Sequence, residues 1–428
     1  MITWWGALFG LALAIILILK KLNPVYSLMI GALIGAILGG ASLTQAINVI
    51  VHGAANVMGT VMRVLAAGML AGVMMESGAA DTLARTIVNK LGDRFAILAL
   101  ALASMIITAV GVFIPVTVII MAPIALEVGK KLNISKLALL IALSGGGKAG
   151  NIISPNANTI AAAHGFGLQL SQVMIADFIP ALATLATTVI VVICIQHLGR
   201  QVTSADIKDT ENDNRQLPSL GSALVAPTVA IILLLLTPIG AIFHLTWLEK
   251  CNLDAMYVLP VAAIIGALAM HQGKHLRSFA ATGISKMTDV VLILIGAGAI
   301  GATITQSTFP QLLITGIKTM HIPGVLLAPL SGLLMSGAAA STSTGVILAT
   351  KAFSKAILDF GVAPLAAAAM VHCSAIVIDS LPQGNYFHVT QNAMHMNIKE
   401  RSKAIIFEAI CGAASMITAT VMYGLLHL

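Results

Sequence analysis

Apolar stretches as long as a bilayer is thick recur along this chain, separated by short polar segments. They include Trp4 to Leu19, Val173 to Ile195 and Ala404 to Leu426. A helix of about 20 apolar residues crosses the hydrocarbon core of a membrane. Hydrophobic residues make up 58% of the 428 positions and charged residues only 9%, a balance that excludes a soluble domain of this size. The pattern therefore predicts an all-α polytopic membrane protein embedded in a lipid bilayer.

Two of the apolar stretches are interrupted by Pro, Asn and Gly in related ways. The first interruption runs from Ile153 to Thr159 and the second from Ser380 to Tyr386. A shift of 227 positions (382 − 155) superimposes Pro155 on Pro382 and also aligns the asparagines that follow them. The chain is therefore predicted to hold two related halves, each with a broken helix. Paired interruptions of this kind indicate the binding site of a transporter.

Each half also holds two adjacent apolar segments that are too short to span a bilayer. Short paired segments predict a re-entrant hairpin. The joint between them contains irregular backbone, which is tolerated at membrane depth only where it lines protein or a water-filled cavity. The predicted hairpins are Phe95 to Val110 with Val116 to Val128, joined over 111–115, and Pro323 to Met335 with Val346 to Leu358, joined over 336–345.

The basic residues predict how the chain is oriented. If the N-terminus lies outside, most of the 23 Lys and Arg residues, Arg401 among them, fall in loops on the cytoplasmic side, as the positive-inside rule requires. The net charge of +7 then belongs to these loops and indicates no nucleic-acid partner. The two broken helices cross in opposite directions, so the halves are predicted to be inverted-topology repeats. Both termini are expected on the periplasmic or extracellular face of the inner (plasma) membrane.

The predicted domain organisation follows from the repeats and from one hydrophilic stretch. Residues 200–216 mix acidic and basic side chains, and we interpret them as a solvated linker between the halves. The predicted segments are N-terminal scaffold helices (1–60), a first inverted repeat (61–198), a cytoplasmic linker (199–220), linking or scaffold helices (221–287) and a second inverted repeat (288–428).

Polar side chains gather at the two interruptions and at the second hairpin tip. Hydroxyl groups and the free N–H groups of half-helix starts suit a carboxylate or a polyol. Lys148 adds a cation that no loop accounts for, and an intramembrane charge is a functional candidate by default. The candidate substrate-binding residues are Lys148, Asn156, Asn158, Thr159, Ser341, Thr342, Ser343, Thr344, Gln383 and Asn385.

Three further residues are candidates for binding the coupling ion. Asp379 stands inside the second broken helix and needs a partner or a proton. His372 can titrate near neutral pH, and Ser154 belongs to the first interruption. Structural alternatives stay open. A hydroxyl can bond to its own helix, Lys148 can snorkel towards the cytoplasm, and a buried His372 can be a satisfied structural group.

The sequence gives no support to an enzyme, a metal site or a bound cofactor. The HExxH, Gly-x-Ser-x-Gly and CxxC motifs are absent. The four cysteines are scattered without metal-ligand spacing. An intramembrane hydrolase that uses Ser341 or Ser343 with His372 stays a distant alternative, and a channel fits two inverted halves less well than a transporter does.

The chain resembles the gluconate:proton symporter (GntP) family. The resemblance covers nearly the whole chain and is carried by three motifs. They are the Gly-rich run into Ser154-Pro155-Asn156-Ala157-Asn158-Thr159, the hydroxyl run Ser341-Thr342-Ser343-Thr344-Gly345, and Cys373-Ser374 with Asp379 downstream.

The resemblance implies a fold of the ion-transporter superfamily. Such a protein has a scaffold domain that forms a homodimer and a transport domain of two hairpins and two broken helices that moves as an elevator. It also implies a symporter, coupled to protons, for a small hydroxylated organic anion such as gluconate, glycerate or hydroxybutyrate. The first interruption lacks the Pro- and His-rich character of the gluconate permeases. A sodium-coupled carboxylate symporter and a cation/proton antiporter therefore stay open as alternatives.

Overall fold

The regular elements of the described residues are helices. The structure is a computed structural model that describes residues 2–20, 22–207, 217–242, 253–309, 312, 315, 319, 323–382 and 384–426. Gln383 and residues 208–216 of the linker lie outside the described residues. The first eleven helices are α1 (Trp4–Leu19), α2 (Pro24–Leu38), α3 (Leu43–Ala55), α4 (Met58–Glu76), α5 (Ala79–Leu91), α6 (Ala96–Ala109), α7 (Ile114–Leu132), α8 (Lys136–Ile152), α9 (Ala157–Gly165), α10 (Leu170–Ala176) and α11 (Phe178–Ile195).

The helices that follow the linker begin with two apolar helices and end in a π-helical segment. The last helix continues as a π-helical segment from Thr420 to Leu425. The later helices are α12 (Leu220–Ile242), α13 (Ala255–Ala269), α14 (Leu276–Thr305), α15 (Leu327–Ala339), α16 (Thr342–Asp359), α17 (Pro364–Ala375), α18 (Asn385–Ala393) and α19 (Ile398–Ala419).

The described helices confirm the prediction of a polytopic membrane protein. Five helical spans are long and apolar enough to cross a bilayer, and α5 with α6 forms a further pair bent by 105°. The inverted relation of the two halves stays a prediction. The five spans are Met58–Glu76, Lys136–Gly165, Phe178–Ile195, Gly273–Thr305 and Ile398–Leu425.

Glycines let the helices outside the hairpins pack backbone against backbone. A Cβ atom at Gly283 of α14 would lie 2.0 Å from the carbonyl oxygen of Gly68 on α4. A Cβ atom at Gly53 of α3 would lie 2.3 Å from the carbonyl oxygen of Gly298, also on α14. Small residues allow this close approach, which supplies the van der Waals contact that holds helices together in lipid. Helices α3, α4 and α14 therefore form a tightly packed unit.

The two hairpins exist, but their joints are shorter than the sequence predicts. Helices α6 and α7 are joined over 110–113, and Gly111 takes up a left-handed φ of +107° there. Helices α15 and α16 are joined by Ala340 and Ser341 alone. The predicted joint over 336–345 is wrong because Ala is a strong helix former and the Ser341 side chain caps α16 by accepting from the Thr344 N–H at 3.3 Å.

The helix is interrupted at both predicted positions. Residues 153–156 separate α8 from α9, and residues 376–384 separate α17 from α18. Helix α8 is buried along its whole length and packs against α6, α7, α11 and α19. The first hairpin therefore packs on α8, while the second hairpin packs on α9 and α17.

The linker is not fully solvated, which corrects the sequence-based expectation. The Asp206 carboxylate lies 2.5 Å from the Lys136 ammonium, and the Lys136 side chain is only 1% exposed. Lys136 also donates to the His395 carbonyl oxygen at 2.9 Å. Burial alone raises the pKa of Asp206, but the hydrogen bonds from Lys136 and Thr203 outweigh it and hold that pKa at about 2. The start of the linker is thus anchored to the first turn of α8.

We predict that Asp206→Asn destabilises the protein. Lys136 would stay buried without a counter-charge, and breaking a buried pair costs about 3–5 kcal/mol. The expected result is a clearly lower Tm of the purified protein, while Asp93→Asn, which breaks an exposed pair with Lys131, should leave the Tm unchanged.

The pH dependence of this contribution has a defined sign. Because the folded pKa of Asp206 is depressed to about 2, the stabilisation is fully present above the unfolded pKa and is lost only as the pH falls through about 2. Asp206→Asn should therefore lower the Tm equally at pH 5 and pH 8, and a loss that vanishes at pH 5 would contradict this account.

Candidate functional site

Three elements that are far apart in the sequence meet at a buried ion pair. The Lys148 ammonium of α8 donates to Asp379 Oδ1 at 2.6 Å, and their side chains are 0% and 6% exposed. Thr342, in the first turn of α16, donates to Asp379 Oδ2 at 2.6 Å. Both carboxylate oxygens are therefore satisfied, one by a cation and one by a hydroxyl. The pair ties α8, the second interruption and the second hairpin tip together.

The interrupted backbone supplies a further partner for Lys148. Its ammonium also donates to the carbonyl oxygen of Ile376, the first residue after α17. The last carbonyls of a helix have no partner within that helix. Lys148 therefore compensates both the charge of Asp379 and the exposed end of α17, so it is not free in this conformation to bind a substrate carboxylate.

The same hairpin tip also contacts the first interruption. The Ser343 hydroxyl donates to Asn158 Oδ1 at 2.5 Å. The Asn156 side chain accepts from the N–H groups of Asn158 and Thr159 at 2.8 and 3.2 Å, which caps α9. Thus Thr342 reaches one interruption and Ser343 the other, and a shift of this tip would disturb both.

Several buried polar groups at the tips and interruptions have no hydrogen-bond partner among the described residues. They belong to the hairpin tip at the start of α7, to the end of α8 and to both interruptions. Buried hydroxyl and amide groups are normally satisfied, so these exceptions point to a ligand, an ion or water. The groups are Thr117 Oγ1, Asn151 Nδ2, Ser154 Oγ and Ser380 Oγ.

A cavity opens beside the second hairpin tip. Its volume is about 450 Å³, and its wall includes Ser341, Thr344 and Asn385 from the predicted site. Helices α2 and α14 form the opposite wall with Asn23 and Asp289. Thr342, in the same turn, donates to the Lys148–Asp379 pair. The cavity thus lies between the hairpin tip and the nearby parts of α2 and α14.

His372 is buried away from the Lys148–Asp379 pair and has its own partners. Its Nδ1 lies 2.7 Å from Asp177 Oδ2 with both side chains fully buried, and the Cys373 thiol donates to Asp177 Oδ1 at 3.2 Å. His372 Nε2 has no partner among the described residues. The sequence could not identify Asp177 as this partner, because it lies 195 positions away at the junction of α10 and α11.

A second buried charge cluster escaped the sequence analysis. Arg401 and Glu408 on α19 pair at 2.7 Å and are both fully buried, although Arg401 was expected in a cytoplasmic loop. The Glu408 carboxylate also accepts from Ser144 of α8 at 2.6 Å. The sequence did contain one indication of this cluster, because Arg401 and Glu408 stand seven positions apart in an apolar helix. Charges inside a membrane helix are usually functional or paired.

Known proteins share this chain's sequence and fold. The family described as GntP family permease matches residues 2–425. A protein of Haemophilus influenzae described as an uncharacterized transporter is 46% identical over 98% of this chain and 97% of its own. The high-affinity gluconate transporter of Escherichia coli is 25% identical over 82% of this chain and 81% of its own. The D-serine transporter DsdX of Escherichia coli is 24% identical over 80% of each chain.

A solved structure shows a similar fold. The YdaH transporter of Alcanivorax borkumensis superimposes with a TM-score of 0.57, at 14% identity, over 87% of this chain and 86% of its own. At this identity the likeness concerns the arrangement of helices alone. It agrees with the multi-span helical architecture described above.

We predict that Thr342→Val weakens transport affinity without unfolding the protein. The substitution keeps the shape but removes a hydroxyl of the candidate substrate site, which donates to Asp379 in this conformation; a hydrogen bond from it to a bound carboxylate would contribute about 1.5–3 kcal/mol. The transport KM should rise about 10- to 150-fold. Thr350→Val is the matched control, since the Thr350 hydroxyl bonds only to its own helix. Equal KM values for the two variants would place the site elsewhere.

Proposed function

We propose that this chain, which belongs to the GntP permease family, is a symporter that carries a small hydroxylated organic anion together with a proton. Membership of this family makes it a membrane transporter and not an enzyme. The observation that carries the proposal is the buried pair of Lys148 and Asp379, 2.6 Å apart, at the meeting point of α8, the second interruption and the second hairpin tip. Gluconate and D-serine, which relatives are described as transporting, share a carboxylate and a hydroxyl group.

Charge balance explains how such a pair couples an anion to a proton. In the empty site Lys148 and Asp379 neutralise each other. A proton on Asp379 leaves the site with the positive charge of Lys148, which an anionic substrate then balances. Moving an uncompensated charge into a low-dielectric interior costs several kcal/mol. The empty and the doubly loaded forms are neutral, so they can cross the membrane region, while a proton or an anion alone cannot.

The surroundings of the pair support a hydroxylated substrate. Ser341, Thr344 and Asn385 face the cavity of about 450 Å³ and offer hydroxyl and amide groups to a polyol chain. The unpartnered hydroxyl of Ser380 lies next to Asp379 in the chain. A carboxylate held by Lys148 and hydroxyls held by these side chains would together bind a short sugar acid or hydroxy acid.

Sodium coupling is the second candidate. It is favoured by the unpartnered, buried oxygens of Thr117, Ser154 and Ser380, because hard cations take oxygen ligands. The two candidates differ in what Asp379 does. In the proton model it is protonated when the substrate binds, whereas in the sodium model it stays charged throughout.

The packing of the helices supports a mechanism in which one group of helices moves past another. Helices α1 to α4 and α12 to α14 pack among themselves, while the first hairpin packs on α8 and the second packs on α9 and α17, the helices beside the two interruptions. The contact between the two groups includes α14 against α16. We propose that the first group is the scaffold and the second the transport domain of an elevator. The expected homodimer stays a prediction.

Uptake into proteoliposomes tests the coupling. A labelled panel of gluconate, glycerate, hydroxybutyrate and D-serine would be offered with a proton gradient and a sodium gradient imposed separately. We expect wild-type accumulation of at least one acid with the proton gradient alone. Asp379→Asn should abolish this accumulation, because the site can no longer release a proton. Accumulation that needs sodium and survives Asp379→Asn would replace the proton proposal by the sodium one.

A disulfide tests the relative movement of the two groups. A Cβ atom at Gly301 of α14 would lie 2.7 Å from Cβ of Lys351 on α16, so Gly301→Cys with Lys351→Cys should cross-link after a small separation of the helices. Oxidation should then stop transport, and reduction should restore it. In the control, Gly266→Cys with Ala226→Cys joins α12 to α13 within the scaffold and should leave transport active. Full transport by the oxidised α14–α16 protein would exclude an elevator movement at this contact.

A further inference from the structure

The buried cluster around Glu408 has a function that the substrate site does not account for. It contains a fully buried acid and a fully buried arginine in the described part of the chain, joined to Ser144 and Tyr386. From its position beside Lys148 we propose that Glu408, Ser144 and Tyr386 form a proton relay that accepts the proton from Asp379. This inference rests on the proposed proton coupling and adds the route by which the proton leaves.

The hydrogen bonds of the cluster form a continuous chain. The Tyr386 hydroxyl donates to Ser144 Oγ at 2.6 Å, and the Ser144 hydroxyl donates to Glu408 Oε1 at 2.6 Å. The Tyr386 hydroxyl also lies 3.2 Å from Glu408 Oε1. Two hydroxyl groups thus converge on one oxygen of a carboxylate, and each can both donate and accept a proton.

The chain starts beside the Lys148–Asp379 pair. Ser144 and Lys148 are four positions apart on α8, so they occupy the same helix face about 5–6 Å apart between their Cβ atoms. Tyr386 stands in the first turn of α18, directly after the interruption that carries Asp379. Ser144 thus lies one helical turn from the cation that pairs with Asp379, and the proposed relay begins with a water molecule that bridges Asp379 to the Tyr386 hydroxyl. The relay therefore connects the substrate site to α19.

The relay leads away from the site along α19. Glu408 lies about 15 Å along the helix from Ile398, at 1.5 Å per residue. Arg401 lies between them on the same face and holds Glu408 by two bonds of 2.7 and 3.1 Å. Arg401 is itself fixed by the Thr390 hydroxyl at 2.8 Å. The polar groups thus extend from the midst of α19 towards its beginning.

Each proton transfer in the relay is balanced. When Asp379 gives up its proton, it becomes a carboxylate again and is neutralised by Lys148. Glu408 takes up the proton through Tyr386 and then Ser144, each hydroxyl accepting one proton as it passes another on. A protonated Glu408 leaves Arg401 without a counter-charge, and this excess positive charge favours release of the proton to solvent water at the exposed beginning of α19. Glu408 then returns to its carboxylate form.

The groups that face Glu408 fit this role. The charged neighbours are Arg401 on its own helix and Lys148 on α8, and the titratable neighbours are Tyr386 on α18 and Cys411 on its own helix. Both cations favour the carboxylate form at rest. Glu408 therefore rests as a carboxylate. It accepts a proton only when Asp379 gives one up.

The test separates proton-driven accumulation from exchange. Exchange of labelled for unlabelled substrate at equal concentrations needs movement of the loaded site but no release of a proton. Ser144→Ala, Tyr386→Phe and Glu408→Gln should each leave exchange within about twofold of wild type and slow accumulation about 100-fold, the lower end for loss of a proton-transfer group. Thr418→Val is the control on α19, because the Thr418 hydroxyl bonds only to its own helix, and it should accumulate substrate normally.

Comparison of the three variants separates a defect in proton transfer from a defect in folding. Glu408→Gln leaves Arg401 buried without its partner, whereas Ser144→Ala and Tyr386→Phe keep the Arg401–Glu408 pair intact. If all three variants lose exchange and accumulation in proportion, the cluster is structural and the relay is refuted. If the folded variants accumulate substrate at the wild-type rate, the relay is likewise refuted. Asp379→Asn separates a failure of the relay from a failure of the proposed proton coupling. Proton-driven accumulation by that variant would overturn the coupling itself.

Discussion

The cost of burying a charge in a medium without water governs this structure. Each buried cation in the described helices has a carboxylate at hydrogen-bond distance: Asp379 for Lys148, Asp206 for Lys136 and Glu408 for Arg401. A lone buried ion would be unstable, and a pair only balances its own desolvation. Such pairs therefore add little stability. They are suited to switching, because a single proton on the acid changes the net charge of the pair. The placement of the Lys148–Asp379 pair at the second interruption puts this sensitivity where the backbone can rearrange.

Local signals in the sequence predicted much of the site. Proline and asparagine located the interruption over 153–156, since these residues disfavour a helix interior and Asn156 caps the next one. The run of hydroxyls located the second hairpin tip, although Ser341 and Thr344 turned out to shape the turn as well as to line the cavity. The error at the joint had a local cause too. Alanines extended α15 further than the apolar pattern indicated.

What the sequence could not give were the partners of buried groups. Ser144 meets Glu408 across 264 positions and His372 meets Asp177 across 195, and nothing in either neighbourhood encodes the other. An acid in an apolar helix signals that some partner exists, but only the packing of α8 against α19 decides which. Position along the chain also misled the assignment of Arg401, because a basic residue near a helix start suggests a cytoplasmic loop when no tertiary contact is known.

The separation of Lys148 from Asp379 has a consequence for biogenesis. The two residues are 231 positions apart, and a ribosome adds about 5–20 residues per second, so α8 is complete roughly 10–50 s before its counter-charge is synthesised. During this interval a lysine in an otherwise apolar segment has no acid to neutralise it. Helix α8 must then wait at the interface or beside the insertion machinery. The first half of the chain can thus complete its insertion into the membrane only after the second half has been synthesised.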